Sequence, residues 1–101
     1  MAYDPGAIDA ALAAAVGDEP ALIAELRLAF VESAQRALAA MEAAESRDAW
    51  REAAARMKGL AASFGAVRLM VLAAQASDLP HDSATLAKLR RSIARLGSEA
   101  A

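Results

Sequence analysis

Apolar residues recur along this chain at intervals of three and four, the period of one buried helical face, with no sustained two-residue alternation that would suggest strands. The clearest run is Ile23, Leu26, Phe30, Ala34, Ala37, Met41 and Ala44, which predicts a long helix opened by Asp18-Glu19-Pro20. Before it, Asp4-Pro5 is a helix-start signal. A short helix is expected there with Ile8, Leu12 and Val16 on one stripe, ended by Gly17, whose freedom at positive φ suits a C-terminal cap. After the long helix, Glu45-Ser46-Arg47-Asp48 breaks the stripe with capping residues. The next helix is expected from Asp48 to Phe64, burying Trp50, Ala54, Met57, Ala61 and Phe64.

Gly65 marks a change of direction, after which Leu69, Leu72, Ala73 and Ala76 supply the inward face of a further helix ending near Asp78. The segment 77–83, with Pro80 among capping residues, reads as a loop. A last helix carries Leu86, Leu89, Ile93 and Leu96 inward, and the segment from Gly97 to Ala101 is expected to fray. Short connections between long helices force neighbours to run antiparallel. The pattern therefore predicts an all-α fold: an antiparallel up-down four-helix bundle with an additional short N-terminal helix, one domain over residues 1–101.

Composition narrows the class. The hydrophobic fraction of 57% contains only 4% aromatic residues, so the core must be built from Ala, Leu, Ile, Val and Met packed closely between helices. Eleven Lys and Arg mixed among thirteen Asp and Glu give a net charge of −2, which offers no broad basic field for nucleic acid or anionic lipid. The start lacks the basic residues and apolar run of a signal peptide, and no stretch reaches the roughly 20 apolar residues of a membrane span. A cytoplasmic location is expected. The absence of cysteine removes thiolate chemistry and disulfides.

Candidate chemistry is sparse. The single histidine, His81, falls in the loop beside Pro80 and reads as a helix-entry residue, and Ser33, Ser46, Ser63 and Ser77 have no base in sequence reach. No glycine-rich phosphate loop occurs, and no ligand set stands at metal spacing on one helix face. Lys88, Arg90, Arg91 and Arg95 read as a solvated face complementing the dipole of the last helix. Neither a cofactor nor a catalytic site is expected, and the chain is not expected to be an enzyme.

The informative stretch is 54–69. Glycine inside a helix costs about 1 kcal/mol relative to alanine, so Gly59 needs a reason: crowding within the bundle, or close approach of a partner. If Met57, Ala61 and Phe64 point inward, then Ala55, Lys58, Gly59 and Ala62 share a different face, with Arg51 and Arg56 at its edge. A smooth patch of small residues around one cation suits either reading.

This run resembles the signature of the histidine-containing phosphotransfer (HPt) domain family, approximately Ala-His-x-Leu-Lys-Gly-x-Ala-x-x-x-Gly-Ala-x-x-Leu. Ala54 fits the alanine, Met57 stands for the leucine, Lys58-Gly59 match Lys-Gly, Ala61 the next alanine, Gly65-Ala66 the Gly-Ala, and Leu69 the closing leucine. The acidic-proline start, Glu25-Leu26 and Phe30, then Asp48 and Trp50 ahead of the signature, and the amphipathic last helix are similar to the family's layout over nearly the whole chain. Where the family carries its phosphate-accepting histidine, this chain has Ala55, and a methyl group has no lone pair with which to accept a phosphoryl group.

The resemblance implies a docking or adaptor module of a two-component phosphorelay. It would bind a response-regulator receiver domain or a sensor histidine kinase, as a monomer, through Arg51, Ala55, Arg56, Lys58, Gly59 and Ala62. Two other readings stand beside it: a working phosphotransfer protein with an unusual acceptor, and a structural bundle that packs on a copy of itself.

Overall fold

The computed structural model describes residues 12–14, 17 and 19–98, and among these it is all-helical, with no strand. Residues 12–14 are helical and Leu12 is buried in the core. Gly17 ends this turn at φ +85°, its amide donating to the Ala13 carbonyl at 2.8 Å, which is the cap expected of it. Asp4, Pro5, Ile8, Val16 and Asp18 lie outside the described residues, as do Glu99, Ala100 and Ala101.

Four longer helices follow. Helix α1 spans Pro20–Ala43, with the proline in the first turn, where its missing N–H leaves no hydrogen bond unmade. Its buried face holds Phe30, Ala34, Ala37 and Met41 from the expected stripe, widened by Val31 and Leu38; Ile23 and Leu26 are half-buried. Arg27 is also buried, its Nη1 donating to the Leu96 carbonyl at 3.4 Å. A run of apolar residues gives no warning of that cation.

Helix α2 spans Arg47–Ser63, beginning one residue before the expected Asp48 because Ser46 is the cap: its Oγ accepts from the Ala49 amide at 3.0 Å. Asp48 instead sits in the first turn, where its charge complements the helix dipole. The C-terminus closes one residue early as well. Gly65 takes φ +73°, the Ala66 amide donates to the Ala61 carbonyl at 2.9 Å and the Gly65 amide to the Ala62 carbonyl at 3.3 Å. This is a Schellman ending, and it needs glycine at its left-handed position. Buried Ala61 and Ala66 lie on either side of it.

Helix α3 is Val67–Ser77 and α4 is Ser83–Ser98. Asp82 opens α4, one carboxylate oxygen accepting from the Thr85 amide at 3.0 Å and the Thr85 hydroxyl at 3.1 Å. The Thr85 amide bond, then the hydroxyl bond, hold this carboxyl below the usual aspartate range. The expected fraying does not begin at Gly97, since α4 remains helical through Ser98. Leu96 within that last turn is fully buried and fastens it to the core.

Each helix packs on the next in chain order, and α4 returns to α1. The core between them is small in side chain: Ala34, Ala54, Ala61, Ala73 and Ala76 are wholly buried around Trp50, Phe30, Met41, Met57 and Leu89. Alanine at these contacts brings helix axes close, and a few large residues fill the gaps left. Phe64 lies half-buried at the margin, stacked on Phe30 with ring centroids 4.9 Å apart. Trp50 satisfies its buried N–H by donating to the Ala76 carbonyl at 2.8 Å, which ties α2 to α3.

Candidate functional site

Packing assigns the faces of α2. Trp50, Ala53, Ala54, Met57 and Ala61 take the buried side, and at 100° per residue this leaves Ala55 and Gly59 almost opposite the core. Arg51, Ala55, Arg56, Lys58, Gly59 and Ala62 are all exposed. Arg51, Ala55, Lys58, Gly59 and Ala62 form one continuous strip, and Arg56 stands beside it, one residue round the helix from Ala55.

The reason for Gly59 can now be narrowed. A Cβ placed there would meet no atom within 4 Å, so no neighbouring helix crowds the position. Nor does the backbone require glycine, since Gly59 is not among the residues with positive φ. Among the described residues the glycine relieves no contact.

Arg51, Arg56 and Lys58 make no ion pair among the described residues, so their charge is directed to solvent. Two residues that the motif does not single out share this side. Glu52 is exposed one turn before Arg56 and puts a negative charge on the edge of the strip remote from Lys58. Ser63 is also exposed, and its hydroxyl donates to the Gly59 carbonyl at 2.9 Å. Period counting from Ala55 would have found both.

Ala55 has no heteroatom with which to accept a phosphoryl group, and the Ser63 hydroxyl already donates to the Gly59 carbonyl. His81 lies elsewhere, in the connection between α3 and α4. Its ring is tilted 48° against the Trp50 indole at 4.9 Å, and Nε2 sits 3.1 Å from the Glu42 carbonyl oxygen. A carbonyl only accepts, so Nε2 is the donor in that contact. A cavity of about 250 Å³ opens beside it, lined by Glu45, Ser46, Arg47, Trp50, Pro80 and His81 among others.

Trp50 and Met57 are core, and Met70 is half-buried against it. No group of three His, Cys, Asp or Glu among the described residues is placed to hold a metal ion. No helix among them is long and apolar enough to cross a membrane. The late cations divide. Arg90 pairs with Glu42 on α1, whereas Lys88, Arg91 and Arg95 line a cleft against α3.

Compared with models of protein families, with curated proteins and with solved structures, the chain finds no match in any of the three.

Proposed function

We propose that this chain is a docking module of the phosphotransfer type that has no phosphate acceptor. It binds a receiver domain of a response regulator, or a sensor histidine kinase, and modulates the relay without entering it. The observation that carries this reading is the Ala55, Lys58, Gly59 and Ala62 strip, exposed and smooth, with open space above Gly59. A mid-helix glycine that costs stability and relieves no internal contact is accounted for by a partner backbone that comes close to it. Lys58, flanked by Arg51 and Arg56, offers unpaired positive charge to an acidic pocket on that partner.

In the same reading the four helices run up and down as an antiparallel bundle, the N-terminal helix lies across it, and the protein works as a cytoplasmic monomer. The chemical argument against relay activity rests on Ala55, because phosphoryl transfer to a side chain requires a nitrogen or oxygen lone pair.

Titration of the chain against purified receiver domains and kinase dimerisation domains, with and without a phosphoryl donor, tests this directly. Binding is expected, and no acid-labile label should appear on the chain when the donor is present. Lys58→Glu should weaken binding about tenfold, which corresponds to ~1.4 kcal/mol. Full affinity in that variant would place the contact elsewhere, and a stable phosphoryl adduct on the unmodified chain would end the proposal.

A further inference from the structure

A second feature stands apart from the strip on α2 and does not depend on the docking reading. Between α3 and α4 lies a cleft of about 90 Å³ lined by Arg68, Leu72, Lys88, Arg91, Ser92 and Arg95. Four of its six walls are cationic and none is acidic. Both helices lack Asp and Glu altogether over 67–77 and 83–98, so the positive charge is not offset along its own elements. None of the four cations forms an ion pair among the described residues. The Asp82 carboxylate, which Lys88 also attracts from a distance, is already engaged by Thr85.

Ser92 makes the cleft more than a patch of surface charge. It is only 7% exposed and lines the cleft, and its hydroxyl makes no hydrogen bond among the described residues. Buried hydroxyls nearly always find a partner, because an unmade hydrogen bond away from water is costly. Ser98 donates to the Arg95 carbonyl and Ser63 to the Gly59 carbonyl, yet Ser92 makes no such bond. A hydroxyl that lines the same cleft as three arginines and a lysine is matched by an anion with several acceptor oxygens.

We propose that this cleft binds a phosphate group. Guanidinium forks present paired N–H donors at the spacing of phosphate oxygens, and Lys88 adds a point charge. The Ser92 hydroxyl donates to a further oxygen. Lys88, Arg91 and Arg95 stand at i, i+3 and i+7 along one side of α4, a length of about 10 Å, with Arg68 across from them on α3. Open to solvent on one side and walled by cations, the cleft suits a single phosphate or one end of a diphosphate.

The test is a titration of the full chain, followed by amide NMR shifts and thermal unfolding, with inorganic phosphate and with diphosphate against chloride at matched ionic strength. Saturable shifts confined to the neighbourhood of Arg68, Arg91 and Ser92, and a rise in Tm with phosphate over chloride, are expected. Arg91→Gln and Ser92→Ala should each weaken binding about tenfold, as loss of a hydrogen bond to a charged partner does. Arg90→Gln, one residue along but directed to Glu42, should leave it unchanged.

Phosphate no more effective than chloride would overturn the proposal. So would equal losses in Arg90→Gln and Arg91→Gln, since the effect would then be diffuse charge and not a site. The source of the phosphate is separated by sedimentation with vesicles of phosphatidylcholine alone or with added phosphoinositide. Binding to the latter that diphosphate displaces identifies a lipid headgroup, and no vesicle binding identifies a soluble phosphate. Oligonucleotide or polyglutamate binding without any response to phosphate would rule the site out.

Discussion

The two faces of α2 are made of the same residue and do opposite things. Ala53, Ala54 and Ala61 are buried, whereas Ala49, Ala55 and Ala62 are exposed. What separates them is the angular position of the large residues: Trp50 and Met57 lie on the inner side, and Arg51, Arg56 and Lys58 on the outer. A methyl group has little hydrophobic driving force of its own, so its environment is set by the neighbours that do. Inward, alanine lets α1 and α3 approach. Outward, it leaves a surface with nothing to displace but water.

Substitutions on the two faces should therefore differ in sign as well as size. The largest effect is expected inside. Met57→Ala removes a wholly buried side chain and should destabilise the fold by about 2–5 kcal/mol, measured by denaturant unfolding. A loss under 1 kcal/mol would mean that the core collapses around the gap. At the start of the helix that carries both faces, Ser46→Ala deletes the cap on the Ala49 amide and should cost ~1 kcal/mol in the same assay.

The smallest effect is expected outside, and in the opposite direction. Gly59→Ala should stabilise by roughly 0.5–1 kcal/mol, because the position is helical, uncrowded and carries no left-handed requirement. It should also weaken partner binding if the partner's backbone needs that space. A variant that gains stability and keeps full affinity would leave the glycine without the role assigned to it here.

The helices were readable in outline because burial on one side of a helix imposes a period of 3.6 residues on the sequence. Leu86, Leu89, Ile93 and Leu96 were assigned inward from that spacing alone, and all four are buried. The same reasoning found the outer strip of α2, which is the complement of a buried stripe. Boundaries were less well defined. Ser46, Arg47 and Asp48 include two competent caps within three residues, and only the bond to the Ala49 amide distinguishes them.

Features that join distant parts of the chain could not be read this way. Arg27 lies in the buried face of α1 and reaches the Leu96 carbonyl, 69 residues later. Leu72 sits at the rim of the cationic cleft and not in the core, since the neighbouring helices leave that side of α3 half-open. The four late cations look alike in sequence, yet Arg90 turns to Glu42 while Lys88, Arg91 and Arg95 face Arg68.

By itself, then, the order of residues determined that the chain is helical, which stripes are apolar, and that position 55 on α2 has no nucleophile to offer. Each of these follows from local periodicity or from the chemistry of one side chain. The tertiary structure decided what stands across from what: the open space over Gly59, the partner of Arg90, and the meeting of Arg68 with the charges of α4 around the unbonded hydroxyl of Ser92. Those depend on the rotation and register of whole helices, which packing between them fixes and no local pattern records.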